Sequence, residues 1–198
     1  MKRLIIPENF VRALCKIDRR IYGYGRCSDA VEAAIGYVSG KYQFQKEAAK
    51  AHGVSRYKAH AASHVIYKSW QENRERVLAG WLQSGGDDDI NSNDFIPIEL
   101  AAIAAGIDTS NGLFDPVGCD NSAFKLSSAL QPGMLEVKEG AARCEKIFCG
   151  TSFSEIVSID DCCDELTALR CALFSVAVDV GMRMLTIGKK ELEDAINN

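Results

Sequence analysis

The 198-residue sequence predicts a mainly α protein in two parts: a basic N-terminal domain of short helices folded around one sharp turn, and an acidic C-terminal helical domain. Three observations predict it. Apolar residues recur at three- and four-residue spacing through most of the chain, the period of a helix with one buried face. The stretch SGGDDDINSND, residues 84–94, has nothing to bury and divides the chain into a domain over 1–83 and another over 95–198. Charge divides at nearly the same place: residues 1–82 carry 15 Lys+Arg against 7 Asp+Glu, the remainder 8 against 20, behind a net charge of −4. With 47% hydrophobic and 25% charged residues the chain is neither fibrous nor disordered.

Residues 7–20 read as a first helix, with Pro7 at its start, Phe10, Leu14 and Ile17 at helical spacing, and Arg19 and Arg20 near the negative end of its dipole. Gly23 and Gly25 then break regular structure; without a third glycine and a preceding strand they make a turn rather than a phosphate loop. Ser28 or Asp29 caps a helix to about Ser39, striped by Val31, Ala34, Ile35 and Val38, and Gly40 ends it. Residues 43–52 and 55–70 supply two more helices, with Tyr42 and Phe44 expected to fill the space between the helix ending at Ser39 and the one over 43–52. The last continues toward Gln83, because no glycine or proline interrupts it before Gly80; Trp70 and Trp81 are expected as core anchors.

The sharp turn lies in residues 45–66, QKEAAKAHGVSRYKAHAASHVI. Gly53 supplies the positive φ of a tight helix exit, and Ser55 can accept a hydrogen bond from an unpaired N–H of the next helix. Ala48 and Ala49 allow close approach, Val54, Ala59, Ala62 and Ile66 share one face, and Arg56, Tyr57, His60, Ala61 and His64 are left outward. An ordinary helical hairpin uses the same turn.

Over about residues 29–66 the stretch also resembles the helix-turn-helix of homeodomain-like trihelical DNA-binding proteins. Ala49 stands four before the turn glycine Gly53, apolar Val54 follows, and Ser55 is the N-cap. The resemblance implies a trihelical DNA-binding unit whose last helix enters the major groove of double-stranded DNA. Arg56 would then read base edges, with Ser55, Tyr57, Lys58, His60, Ala61 and His64 on the same surface. Lys50 and Lys68, joined by Arg19, Arg20 and Arg26 where the fold brings them near, would hold phosphates.

Beyond residues 84–94, the segment IPIELAAIAAGID reads as a short helix from Pro97 to Gly106 with a faint echo of the first turn, Ala102 four before Gly106 and Ile107 after it. Loop-like TSNGLFDPVGCDNS comes next, where a second outward helix would have to run. Residues 123–130 suit a short helix, Gln131-Pro132-Gly133 a turn, and 134–137 either a strand or a helix start. Residues 160–185 read as a long apolar helix that must be covered on several sides. Residues 189–198 suit a frayed helix end.

The eight cysteines show no paired CxxC spacing: Cys144, Cys149, Cys162, Cys163 and Cys171 fit small buried thiols better than zinc ligands. His60 and His64 lack the glutamate of an HExxH pair, and the three aspartates of residues 84–94 lack the later ligands of a calcium loop. Cys149 has no histidine in its half of the chain, and no catalytic constellation emerges. No segment approaches a membrane span, and MKRLIIPENF is too short for a secretory signal, so a cytoplasmic location with reduced thiols is expected. The expected protein is a sequence-specific DNA-binding transcription regulator of a bacterium or mobile element, without cofactor or metal. Its acidic half would serve homo-oligomerisation or a protein partner. The rival is a non-catalytic interaction module or inhibitor acting through that acidic half.

Overall fold

The computed structural model describes residues 3–23, 27–84, 95–109 and 114–187. They fall into two compact units, whose described parts are residues 3–84 and 95–187. Of the expected linker only Ser84 is among them; Gly25, Arg26 and residues 189–198 also lie outside the described residues.

The first unit is helical: α1 (Glu8–Ile17), α2 (Ser28–Val38), α3 (Gln45–Ala51) and α4 (Arg56–Gln83). Pro7 takes the N-cap of α1, where its missing N–H costs nothing, and α1 buries Phe10, Val11 and Leu14. Cys27, not Ser28 or Asp29, holds the N-cap position of α2, and no side chain caps it. α2 buries nearly all of its length, and Gly40 (φ 84°) turns the chain out of it. Tyr42 does fill the space beside α2, over Gly36, but Phe44 stays open to solvent with its N–H donating to Glu47 Oε2 at 3.2 Å. As the N-cap residue of α3, Phe44 precedes the face that packs, and that face is made by Ala48 and Ala49 instead.

α4 runs 28 residues without a break, roughly 42 Å at 1.5 Å per residue. Ala59, Ala62, Ile66, Trp70, Val77 and Leu78 form its buried side, and Trp81 meets Phe10 edge-on at 6.0 Å between ring centroids. One polar pin ties α1 to α4. Buried Asp18, the C-cap of α1, accepts from Arg20 Nη2 at 2.6 Å and from the buried Ser69 hydroxyl at 2.5 Å. Arg20 also pairs with Glu72.

The side-chain hydrogen bonds from Arg20 outweigh burial and hold the Asp18 carboxyl well below the usual range. Asp18→Asn should therefore lower stability by about 2 kcal/mol near neutral pH, the scale of hydrogen bonds to a buried charge. A depressed pKa stabilises only where the unfolded carboxyl is ionised. The difference from wild type should thus hold above about pH 4 and shrink as acid titrates the folded carboxyl. Urea titrations across pH 2–7 check it.

The second unit departs from an all-helical expectation. It holds α5 (Phe95–Ala104), α6 (Asp120–Leu130), a three-stranded antiparallel sheet of β1 (Met134–Lys138), β2 (Ala141–Phe148) and β3 (Thr151–Ser158), a 3-10 turn (Ile159–Asp161) and α7 (Glu165–Thr186). Two tight turns make the sheet: Glu139-Gly140 closes β1 on β2, Cys149-Gly150 closes β2 on β3, and all four residues have positive φ. A non-glycine residue at the first position of each turn costs about 1 kcal/mol, and for that reason neither turn looks like the usual Asn-Gly hairpin signal. One face of the sheet packs Val137, Ala142, Cys144, Phe153 and Val157 onto α7. α5 and α6 cover other sides of α7, so most of its apolar run packs within its own unit, while Leu166 and Met182 stay exposed. Asp164 N-caps α7, accepting from Thr167 N–H at 2.8 Å, and that bond lowers its pKa.

Candidate functional site

The α3–α4 turn is built by backbone bonds. Val54 N–H donates to Ala49 C=O at 2.9 Å and Gly53 N–H to Lys50 C=O at 3.3 Å, closing α3 over Gly53 at φ 63°. Ser55 Oγ then accepts from Lys58 N–H at 3.3 Å and starts α4. Val54 packs with Ala33, Ala48, Ala49 and Ala59, so small side chains let α2, α3 and α4 approach closely.

The start of α4 consequently stands clear of its own unit. Tyr57 is 81% exposed, and Arg56, Lys58, His60, His64 and Lys68 are exposed. Tyr57, His60, His64 and Lys68 recur at three- and four-residue spacing and share one face. Ala61 departs from expectation: it is half-buried at the edge of that face. His60 Nδ1 lies 3.1 Å from Gln45 Oε1, which orients its ring from α3. Lys50 is exposed on α3. Between residues 41 and 68 there are six Lys+Arg and a single carboxylate, Glu47, and Glu47 is engaged at the α3 N-cap. The stretch that forms this surface is therefore net positive.

Sequence reasoning missed two contributors. Phe44, 57% exposed, and Lys46 border a cleft of about 370 Å³ shared with Tyr37, Gln45, Glu47 and Arg56. Lys46, one turn before Lys50, could have been read from the helical repeat; exposed Phe44 left no signal, since apolar residues before a helix usually pack. Arg19 and Arg20 are both exposed, and the Arg20 guanidinium pairs with Asp18 and Glu72 within the unit.

Among the described residues no group of three or more His, Cys, Asp or Glu could hold a metal ion, and no helix is long and apolar enough to cross a membrane. Cys144 is buried in the sheet and burial pushes its thiol up to about 11; Cys149 sits in the β2–β3 turn and Cys171 on α7 beside Cys162. No family model, curated protein or solved structure matches the chain.

Proposed function

We propose that the first unit binds double-stranded DNA in a sequence-dependent way through the start of α4, as a cytoplasmic transcription regulator of a bacterium or mobile element does. On this reading the unit is a trihelical helix-turn-helix of α2, α3 and α4, and the second unit joins copies of the chain. One observation carries the reading: a helix start that is open, positive and held by its own turn, with cations on both α3 and α4 around it. On this reading exposed Arg56 makes a bidentate contact to guanine, and exposed Tyr57, His60 and His64 follow it along the major groove. Lys46, Lys50, Lys58 and Lys68 lie beside them for phosphate.

Selection of bound duplexes from a random pool, followed by anisotropy titration of the winner, tests this. The intact chain is expected to enrich a motif, and Arg56→Ala to weaken the winner by about 1–3 kcal/mol with relaxed preference at one base pair. Absence of duplex binding even at low salt would end the proposal.

A further inference from the structure

Among the described residues the sheet of the second unit ends at β1 on one side, and the way β1 is paired fixes what its open edge can accept. Glu139 (φ 53°) and Gly140 (φ 76°) form a two-residue turn with Lys138 opposite Ala141. In such a turn the closing pair exchanges both backbone bonds, and bonded pairs then alternate along the ladder. Met134, Glu136 and Lys138 thus direct N–H and C=O toward β2, while Leu135 and Val137 direct theirs to the open edge.

Beside this edge lies a groove of about 300 Å³ lined by Phe124, Leu135, Leu166, Leu169 and Leu173. Phe124 is 73% exposed, Leu166 53% and Leu135 37%, so the apolar layer under the sheet stays uncovered at this border. Charge does not oppose association here although the unit is acidic: Arg170 pairs with Asp120 at the groove, and β1 itself carries one acid and one base.

We propose that β1 is the seam of a two-fold dimer, paired antiparallel with β1 of a second copy about Val137. That register places Val137 opposite Val137, exchanging both backbone bonds through the groups left open. It also places Glu136 opposite the second copy's Lys138, and Lys138 opposite its Glu136, on one face of a continuous six-stranded sheet. Two grooves then meet beneath the seam and cover Phe124, Leu135 and Leu166. The other edge, β3, lacks this self-complementarity, because its only charged residue is Glu155. The inference deepens the oligomer part of the function proposed above and is independent of the DNA part.

Sedimentation velocity on the full chain, with circular dichroism to establish folding, decides it. Wild type is expected as a dimer. Glu136→Lys faces Lys138 with lysine, and Lys138→Glu faces Glu136 with glutamate, so each variant alone should dimerise at least tenfold more weakly. An equimolar mixture of the two places lysines on one strand against glutamates on the other and should restore the dimer; so should the double variant. A dimer that ignores both single reversals, or variants that stay monomeric when mixed, would overturn this seam and leave the oligomer reading standing. A wild type that remains monomeric at tens of micromolar overturns both.

Discussion

Gly181→Ala is expected to destabilise the second unit by about 3 kcal/mol, at the upper end of what overpacking a core costs. Gly181 is buried on α7, and a Cβ built there would lie 2.7 Å from the carbonyl carbon of Leu100 on α5 and closer still to its oxygen. The obstacle is backbone, so no rotamer change relieves it, and the helices must separate along a contact where Ala101, Ala102, Ala172 and Ala177 are fully buried. The intrinsic gain of about 1 kcal/mol for alanine over glycine in a helix offsets only part of this. Gly80, exposed in α4 with open space around its added Cβ, isolates that gain: Gly80→Ala should stabilise by up to about 1 kcal/mol. Both tryptophans lie in the first unit. In Gly181→Ala, thermal melting by circular dichroism should show a transition lowered by roughly 15 °C, while tryptophan fluorescence reports an unchanged one. Wild-type melting by both probes would mean that α5 and α7 are not packed this closely.

That contact marks where sequence periodicity loses its grip. The helices were legible because their apolar repeats agree with their caps: Phe10 and Leu14 after Pro7, Ala59 to Ile66 after Ser55. The sheet was not. β2 and β3 read AARCEKIF and TSFSEIVS, a weak alternation, because Lys146 and Glu155 stand on the face turned to α7 while Ile147 and Ile156 are exposed on the other. The turns that would have announced hairpins use Glu and Cys where Asn or Asp is usual.

The glycine turn is likewise only partly informative. Ala102, Gly106 and Ile107 repeat the pattern of Ala49, Gly53 and Val54, and they make the same bonds: Ile107 N–H to Ala102 C=O at 2.8 Å, Gly106 N–H to Ile103 C=O at 3.1 Å, with Gly106 at φ 62°. A small residue, a glycine and an apolar residue at this spacing thus specify the end of a helix. The two turns differ in the residues that come after them. Val54 leads into an N-cap and a 28-residue helix with an open basic start; Ile107 leads to Thr109, buried with its hydroxyl donating to Glu99 Oε1 at 2.6 Å. The candidate site was legible to the extent that its side chains lie on a helix with a known buried face. Which arginines are already neutralised was not, since Arg20 and Glu72 are 52 residues apart in sequence.

That distinction sets the largest effect expected at the proposed interface. Replacing Lys46, Lys50, Lys58 and Lys68 together with glutamine should reduce duplex affinity roughly a thousandfold at 0.1 M salt, because each phosphate neutralised contributes about 0.9 to the slope of log affinity against log salt. The slope itself should fall by about 3.6. Counterion release requires only that the cation be unneutralised before DNA arrives, which these side chains, exposed and without an ion pair among the described residues, satisfy. Arg20 does not satisfy it, being paired with Asp18 and Glu72. Arg20→Gln should leave the slope unchanged at any temperature where the chain is folded. Equal loss of slope from Arg20 and from the quartet would mean a diffuse attraction to the whole basic half; no loss from the quartet would remove α4 from the interface.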